Sequence, residues 1–152
     1  MTVKDRFSLD TNILVYAVDV DAGERHERSK QLMAQAARRD CVLTVQALAE
    51  FFHVTTRKNL LELSRARAFV CDWLDVFPVA SADDTALVRA MDAVEEHRLS
   101  FWDAMLWATA TGIGCAAILS EDMQHGRRLS GVTFINPFAA DAAARLAPLL
   151  DA

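Results

Sequence analysis

Short apolar runs alternate with helix-period segments along almost the whole chain, and this alternation constrains the fold more than any other feature. Residues 6–9 read as a short strand ending at Asp10, and residues 11–18 as a helical turn or two. Residues 24–39 place Leu32, Met33 and Ala36 at helical spacing. Residues 41–44 read as a buried strand, residues 45–56 and 64–74 as helices, and residues 76–79 as a strand with Pro78 at its edge or end. Ser81 to Asp84 open another helix with good N-terminal chemistry, its buried stripe predicted as Leu87, Ala90, Met91 and Val94. Residues 101–111 form an apolar helix ending at Gly112. Residues 116–119 and 132–135 are strands. The order predicts an α/β sandwich around a mostly parallel sheet.

A chain of 152 residues suits one domain with one sizeable core. We expect residues 1–137 to carry the active fold. The alanine-rich tail, residues 138–152 with Leu146, Leu149 and Leu150, reads as a helix of the same domain. No apolar run is long enough to span a membrane. Residues 1–6 lack the apolar stretch of a signal peptide, so a cytoplasmic location is expected. Cys41, Cys71 and Cys115 are odd in number and widely separated, which points to free thiols rather than zinc ligands or disulfides. None of His26, His53, His97 and His125 shares a motif with another, so a catalytic histidine is not expected.

Net charge is −5, and nucleic-acid binders are usually basic on their contact face. The total hides distribution. Basic pairs recur at Arg38-Arg39, Arg57-Lys58, Arg65/Arg67 and Arg127-Arg128, each of which reads first as solvated surface. Part of the acidic surplus could belong to a metal site.

Three carboxylates stand out by position. In an open parallel sheet, ligands bind beyond the carboxyl ends of the strands. Asp10 ends the first strand, and Asp122 follows the strand over residues 116–119. Asp10 could equally be a helix N-cap, and Asp122 a turn residue. Asp103 lies in FWDAMLWA (residues 101–108), where every other residue is apolar. A carboxylate there is costly unless paired or metal-bound, although Ser100 and Asp103 also fit a capping box. Glu50 lies in a polar stripe with Gln46, His53 and Arg57, which a solvated helix face explains as well as a cleft does.

Four segments together resemble a known family. FSLDTNILVY (residues 7–16), ALAEFF (47–52), LSFWDAML (99–106) and LSEDMQHG (119–126) are similar to the four acidic motifs of PIN-domain ribonucleases, in the same order and at similar separations. The nearest likeness is to VapC-type toxins of bacterial toxin–antitoxin pairs. The resemblance implies a PIN-like α/β/α sandwich with a central, mostly parallel sheet flanked by helices. It also implies Mg²⁺- or Mn²⁺-dependent cleavage of RNA, a homodimer, and an antitoxin partner. It places Asp10, Glu50, Asp103 and Asp122 as the acidic residues, with Asp10, Asp103 and Asp122 as metal ligands and Glu50 acting on the attacking water. Thr11, Asn12, Ser120 and Glu121 are supporting positions. Asn12 is expected to orient a carboxylate. Asp122 is preferred to Glu121 because consecutive extended residues point opposite ways. An antitoxin arginine could block the acidic pocket, and Val54 or Leu60 could receive an antitoxin helix.

Carboxylates suit such chemistry because Mg²⁺ takes oxygen ligands. Three alternatives remain open. An RNA-processing PIN nuclease would have no antitoxin. A non-catalytic PIN-fold module would bind without cutting. A haloacid-dehalogenase-type phosphatase would want Asp where this chain has Asn12.

Overall fold

A computed structural model describes residues 5–151, so residues 1–4 of the segment read for a leader, and residue 152 of the tail, lie outside it. Strand β1 (Phe7–Leu9) leads into α1 (Thr11–Val18), a 3₁₀ turn (Val20–Ala22) and α2 (Glu24–Ala36). Then come β2 (Leu43–Thr44), α3 (Val45–Arg57), α4 (Leu63–Val76) and β3 (Val79–Ala80). Helices α5 (Asp84–His97) and α6 (Phe101–Gly112) precede β4 (Ala117–Leu119), β5 (Arg128–Leu129), β6 (Val132–Ile135) and α7 (Ala142–Leu150).

The main sheet has the order β1-β4-β6-β5, parallel except for β5. Strands β2 and β3 form a parallel pair beside it. A bridge between Phe7 and Cys41 links that pair to β1. The α/β expectation is therefore met, with the sheet in the middle layer.

Side-chain alternation along the strands divides the interior. On β4, Ala117 and Leu119 join one core while Ile118 joins another. On β6, Ile135 joins the first, and Val132 and Phe134 the second. The first core is filled by α1, α2, α3 and α7, the second by α5 and α6. The single core expected from chain length is thus two cores, one on each sheet face.

Two local expectations need correction, and one element was not expected at all. The strand expected over residues 76–79 starts only at Val79, because α4 continues through Val76. Pro78 keeps the preceding Phe77 extended, at φ −111° and ψ 143°, and so ends the helix there. The predicted stripe of α5 is also shifted. Ala86, Ala90 and Ala93 are buried, whereas Leu87, Met91 and Val94 are exposed. Ala104 and Ala108 of α6 are buried in the same core, so small side chains on both helices set a close approach. Finally, β5 was not foreseen. It forms a hairpin with β6 through Ser130 and Gly131, both at positive φ (48° and 83°), as a tight hairpin turn requires.

Cys41 and Cys115 are buried free thiols, and Cys71 is a half-buried one. Among the described residues, no helix is long and apolar enough to cross a membrane. Helix α7 buries Leu146, Leu149 and Leu150 in the first core.

Because Leu146 is fully enclosed there, Leu146→Ala should lower unfolding free energy by about 2–4 kcal/mol in a urea titration. An unchanged midpoint would mean that α7 is not part of the cooperative unit.

Candidate active site

The site grows from the carboxyl ends of β1 and β4. The Asp10 amide donates to the Leu119 carbonyl at 2.9 Å, extending the β1–β4 ladder by one bond. Immediately afterwards α1 begins, and Asp10 caps it: its Oδ1 accepts from the Thr11 amide at 2.8 Å. Its Oδ2 accepts from the Ser120 hydroxyl at 2.6 Å. Ser120 in turn accepts from the Asp122 amide at 3.1 Å. One hydroxyl therefore joins the turns after two neighbouring strands.

Asn12, in the first turn of α1, donates through Nδ2 to Asp122 Oδ2 at 2.9 Å. Its Oδ1 accepts from the Glu121 amide at 3.4 Å. Thr11 Oγ1 donates to Glu50 Oε2 at 3.0 Å, reaching across from α1 to α3. Gln46, one turn before Glu50, donates to Glu50 Oε1 at 3.0 Å and to the Trp102 carbonyl at 3.0 Å. Asp103 sits in the first turn of α6, where its amide donates to the capping Ser100 hydroxyl at 3.3 Å.

These elements enclose a cleft of about 320 Å³, lined by Asp10, Thr11, Asn12, Val15, Tyr16, Glu50, Val54, Lys58, Asp103 and Asp122. All four acids expected from the sequence motifs face it. The bland roles hold as well, since Asp10 is an N-cap and Ser100 caps α6. Glu121 is elsewhere: its carboxylate accepts from the Tyr16 hydroxyl at 2.6 Å and pairs with Arg25. Those two bonds outweigh burial and hold the Glu121 carboxyl below its usual range. Thr11 and Ser120 are buried and spend their hydroxyl protons on Glu50 and Asp10.

Electrostatic strain is concentrated at Asp10, which is only 9% exposed. Burial pushes its carboxyl up to about 6, the bonds from Ser120 and Thr11 oppose this, and the charges of Asp103 and Asp122 add to it. Asp103 is also raised, first by burial and then by Asp122 and Glu50, with the Ser100 bond opposing. Lys58 is the one cation among the lining residues.

Among the described residues, no three Asp, Glu, His or Cys side chains are gathered closely enough to hold an ion directly. The donor set nevertheless fits a hard cation that retains water. Its carboxylates offer only oxygen, burial and neighbouring charges raise the affinity of Asp10 and Asp103 for positive charge, and the cleft has room for bridging waters. Asp10, Asp103 and Asp122 could share such an ion.

Lys58 and Gln46 escaped notice as site residues. The sequence does carry their signal: Gln46, Glu50, Val54 and Lys58 recur every fourth position and so form one stripe along α3 and its C-cap. Reading the stripe through His53 and Arg57 instead left Lys58 as solvated surface. None of the four histidines lines the cleft. His26 bonds the Tyr16 carbonyl and His125 pairs with Asp141.

The PIN domain family profile matches residues 8–128. No curated protein sequence matches the chain significantly. Several solved structures share its fold. The VapC20 toxin of Mycobacterium tuberculosis, described as cleaving the sarcin–ricin loop, is 19% identical, with a TM-score of 0.60 over 74% of this chain and 86% of that one. A toxin–antitoxin complex from Klebsiella pneumoniae contains a chain 20% identical, with a TM-score of 0.63 over 86% of this chain and 97% of that one. DNA-bound VapBC from Salmonella typhimurium contains a chain 18% identical, with a TM-score of 0.60 over 88% and 97%. At these identities the likeness is one of fold.

The raised Asp10 carboxyl has a defined sign for stability. Its folded value of about 6 lies above the ordinary 3.8, so folding is penalised wherever Asp10 must stay ionised. The penalty is full above pH 6 and fades as pH falls towards 4. In EDTA at pH 7.5, Asp10→Asn should therefore unfold at higher urea, by on the order of 2 kcal/mol. That advantage should shrink towards zero near pH 4. Equal stabilities at pH 7.5 would contradict the assignment of strain to this carboxylate.

Proposed function

The chain belongs to the PIN-domain family, and on that premise we propose that it is a metal-dependent endoribonuclease, the toxin of a toxin–antitoxin pair, acting as a homodimer. The observation that carries the catalytic reading is the convergence of Asp10, Glu50, Asp103 and Asp122 on one small cleft with Lys58 as its lining cation. Four acids at such density, with one lysine among them, are expensive, and a catalytic cation is the simplest reason to keep them.

Asp10, Asp103 and Asp122 would hold Mg²⁺ or Mn²⁺. When bound, the ion would supply charge neutralisation for the phosphodiester and would acidify the attacking water. The protein's share is positioning and proton transfer. Ser120 and the Thr11 amide keep Asp10 from rotating, and Asn12 does the same for Asp122. Thr11 and Gln46 each occupy one oxygen of Glu50, which leaves further lone pairs to orient an attacking water and take its proton. The Lys58 ammonium gives the RNA phosphate an attractive contact in an otherwise repulsive cleft. Hydrolysis then leaves a 5′-phosphate and a 3′-hydroxyl.

Purified protein should cleave RNA with Mg²⁺ or Mn²⁺ and stop with EDTA. Asp103→Asn should lose at least about a hundredfold in kcat, in line with the loss of a group that stabilises developing charge. Lys58→Ala should instead raise KM and flatten the salt dependence by about one contact. Wild-type rates in Asp103→Asn would sink the site assignment.

The partner reading rests on two of the neighbours, one a toxin–antitoxin complex and the other a VapBC assembly. An arginine of a small partner would pair bidentately with carboxylates of the cleft and exclude RNA. Induced alone, the chain should arrest bacterial growth, and coexpression of the adjacent small gene should restore it. Unimpaired growth with active protein present would favour an RNA-processing role.

A further inference from the structure

Next to the acidic cleft lies a second, larger depression of about 700 Å³. The two share Glu50 and Val54, so they are one continuous surface. Its character is opposite. Val45, Ala49, Val54, Trp102 and Met105 make its walls chiefly apolar, and Glu50 on the shared rim is its one carboxylate. Trp102 is 61% exposed in the single chain, which is unusual for the largest apolar residue. It is also braced, since Phe101 meets it edge-on at 4.9 Å between centroids and 69° between planes. Its backbone is tied to the acids twice: Asp103 follows it directly, and Gln46 bonds its carbonyl and Glu50 together.

We propose that this trough is a nucleobase subsite and that Trp102 is its stacking platform, so that the enzyme takes RNA whose base beside the scissile phosphate is unstacked. The inference rests on the nuclease reading for its choice of ligand. A chain whose phosphate occupies the acidic cleft must continue along the surface, and the apolar trough is what adjoins that cleft. Phosphates find no lining lysine or arginine there, and the Glu50 carboxylate on its rim repels them. A base gains a π-face and apolar walls, with Gln46, His53 and Ser81 available at its polar edges. A base held in a duplex cannot enter, so single-stranded or looped segments are selected. Trp102 is a specificity-determining residue in this account.

The test measures binding separately from cleavage. In the full-length Asp10→Asn background, a fluorophore-labelled single-stranded octaribonucleotide is titrated by anisotropy with Mg²⁺ present. Trp102→Leu should weaken binding roughly tenfold, whereas Trp102→Phe should stay within about threefold. The same sequence annealed as a duplex should bind the tryptophan and leucine proteins alike. Equal single-strand affinity in Trp102→Leu, no RNA binding at all, or an equal loss for the duplex would overturn the proposal. So would a Trp102→Leu protein that binds RNA normally but loses a copurifying protein partner, which would assign the trough to that partner. Wild-type cleavage of the same oligonucleotide is scored independently. Trp102-dependent binding without cleavage would refute the nuclease reading and leave the base subsite standing.

Discussion

The Ser120 hydroxyl has one proton, and it is given to Asp10. That bond, together with the Asp10 amide on the Leu119 carbonyl, fixes a nearly buried carboxylate at the seam between β1 and β4. The rest of the site depends on this seam. Helix α1 starts from Asp10, so Thr11 and Asn12 take their directions from it. One reaches Glu50 on α3 and the other reaches Asp122 after β4. Three acids from distant parts of the sequence are thereby referred to one pair of strand ends. The cost is mainly one of burial, which raises the Asp10 carboxyl to about 6, with the charges of Asp103 and Asp122 adding to it.

Much of this was legible in the sequence, for reasons that differ by residue. Asp10 and Asp122 could be placed because strand ends in a parallel sheet share an edge. Asp103 was conspicuous among apolar neighbours, although the structure leaves it only half buried at the start of α6 rather than enclosed. Glu50 was found through its motif, because a polar helical stripe carries no sign of what it faces. Asp122 was preferred to Glu121 on strand alternation alone; what holds Glu121 elsewhere, Tyr16 and Arg25, was not legible, because their approach depends on how α1 and α2 fold back.

What was misread traces to tertiary packing. Leu87, Met91 and Val94 have the periodicity of a buried face, yet alanines on an adjacent face of α5 won the contact with α6. Periodicity identifies an apolar stripe, but the steric fit between two helices decides which stripe is used. Two-residue strands such as β5 give too little pattern to register, and here only the Ser130-Gly131 turn betrays one. The two cores follow from the same cause: strand alternation sends apolar residues to both faces, and no count of residues could show the division.

Both margins of the β-structure are two-residue strands, β3 on one side and β5 on the other. An exposed edge normally offers a row of free peptide groups on which another chain can template. Here each row is too short to register an incoming strand, and Arg128 puts an exposed charge on the β5 margin. Growth by strand addition is therefore blocked at both ends. A chain with 53% hydrophobic residues carries an inherent risk of fibrillar misassembly, and these clipped margins reduce it without any contribution from the acidic cleft.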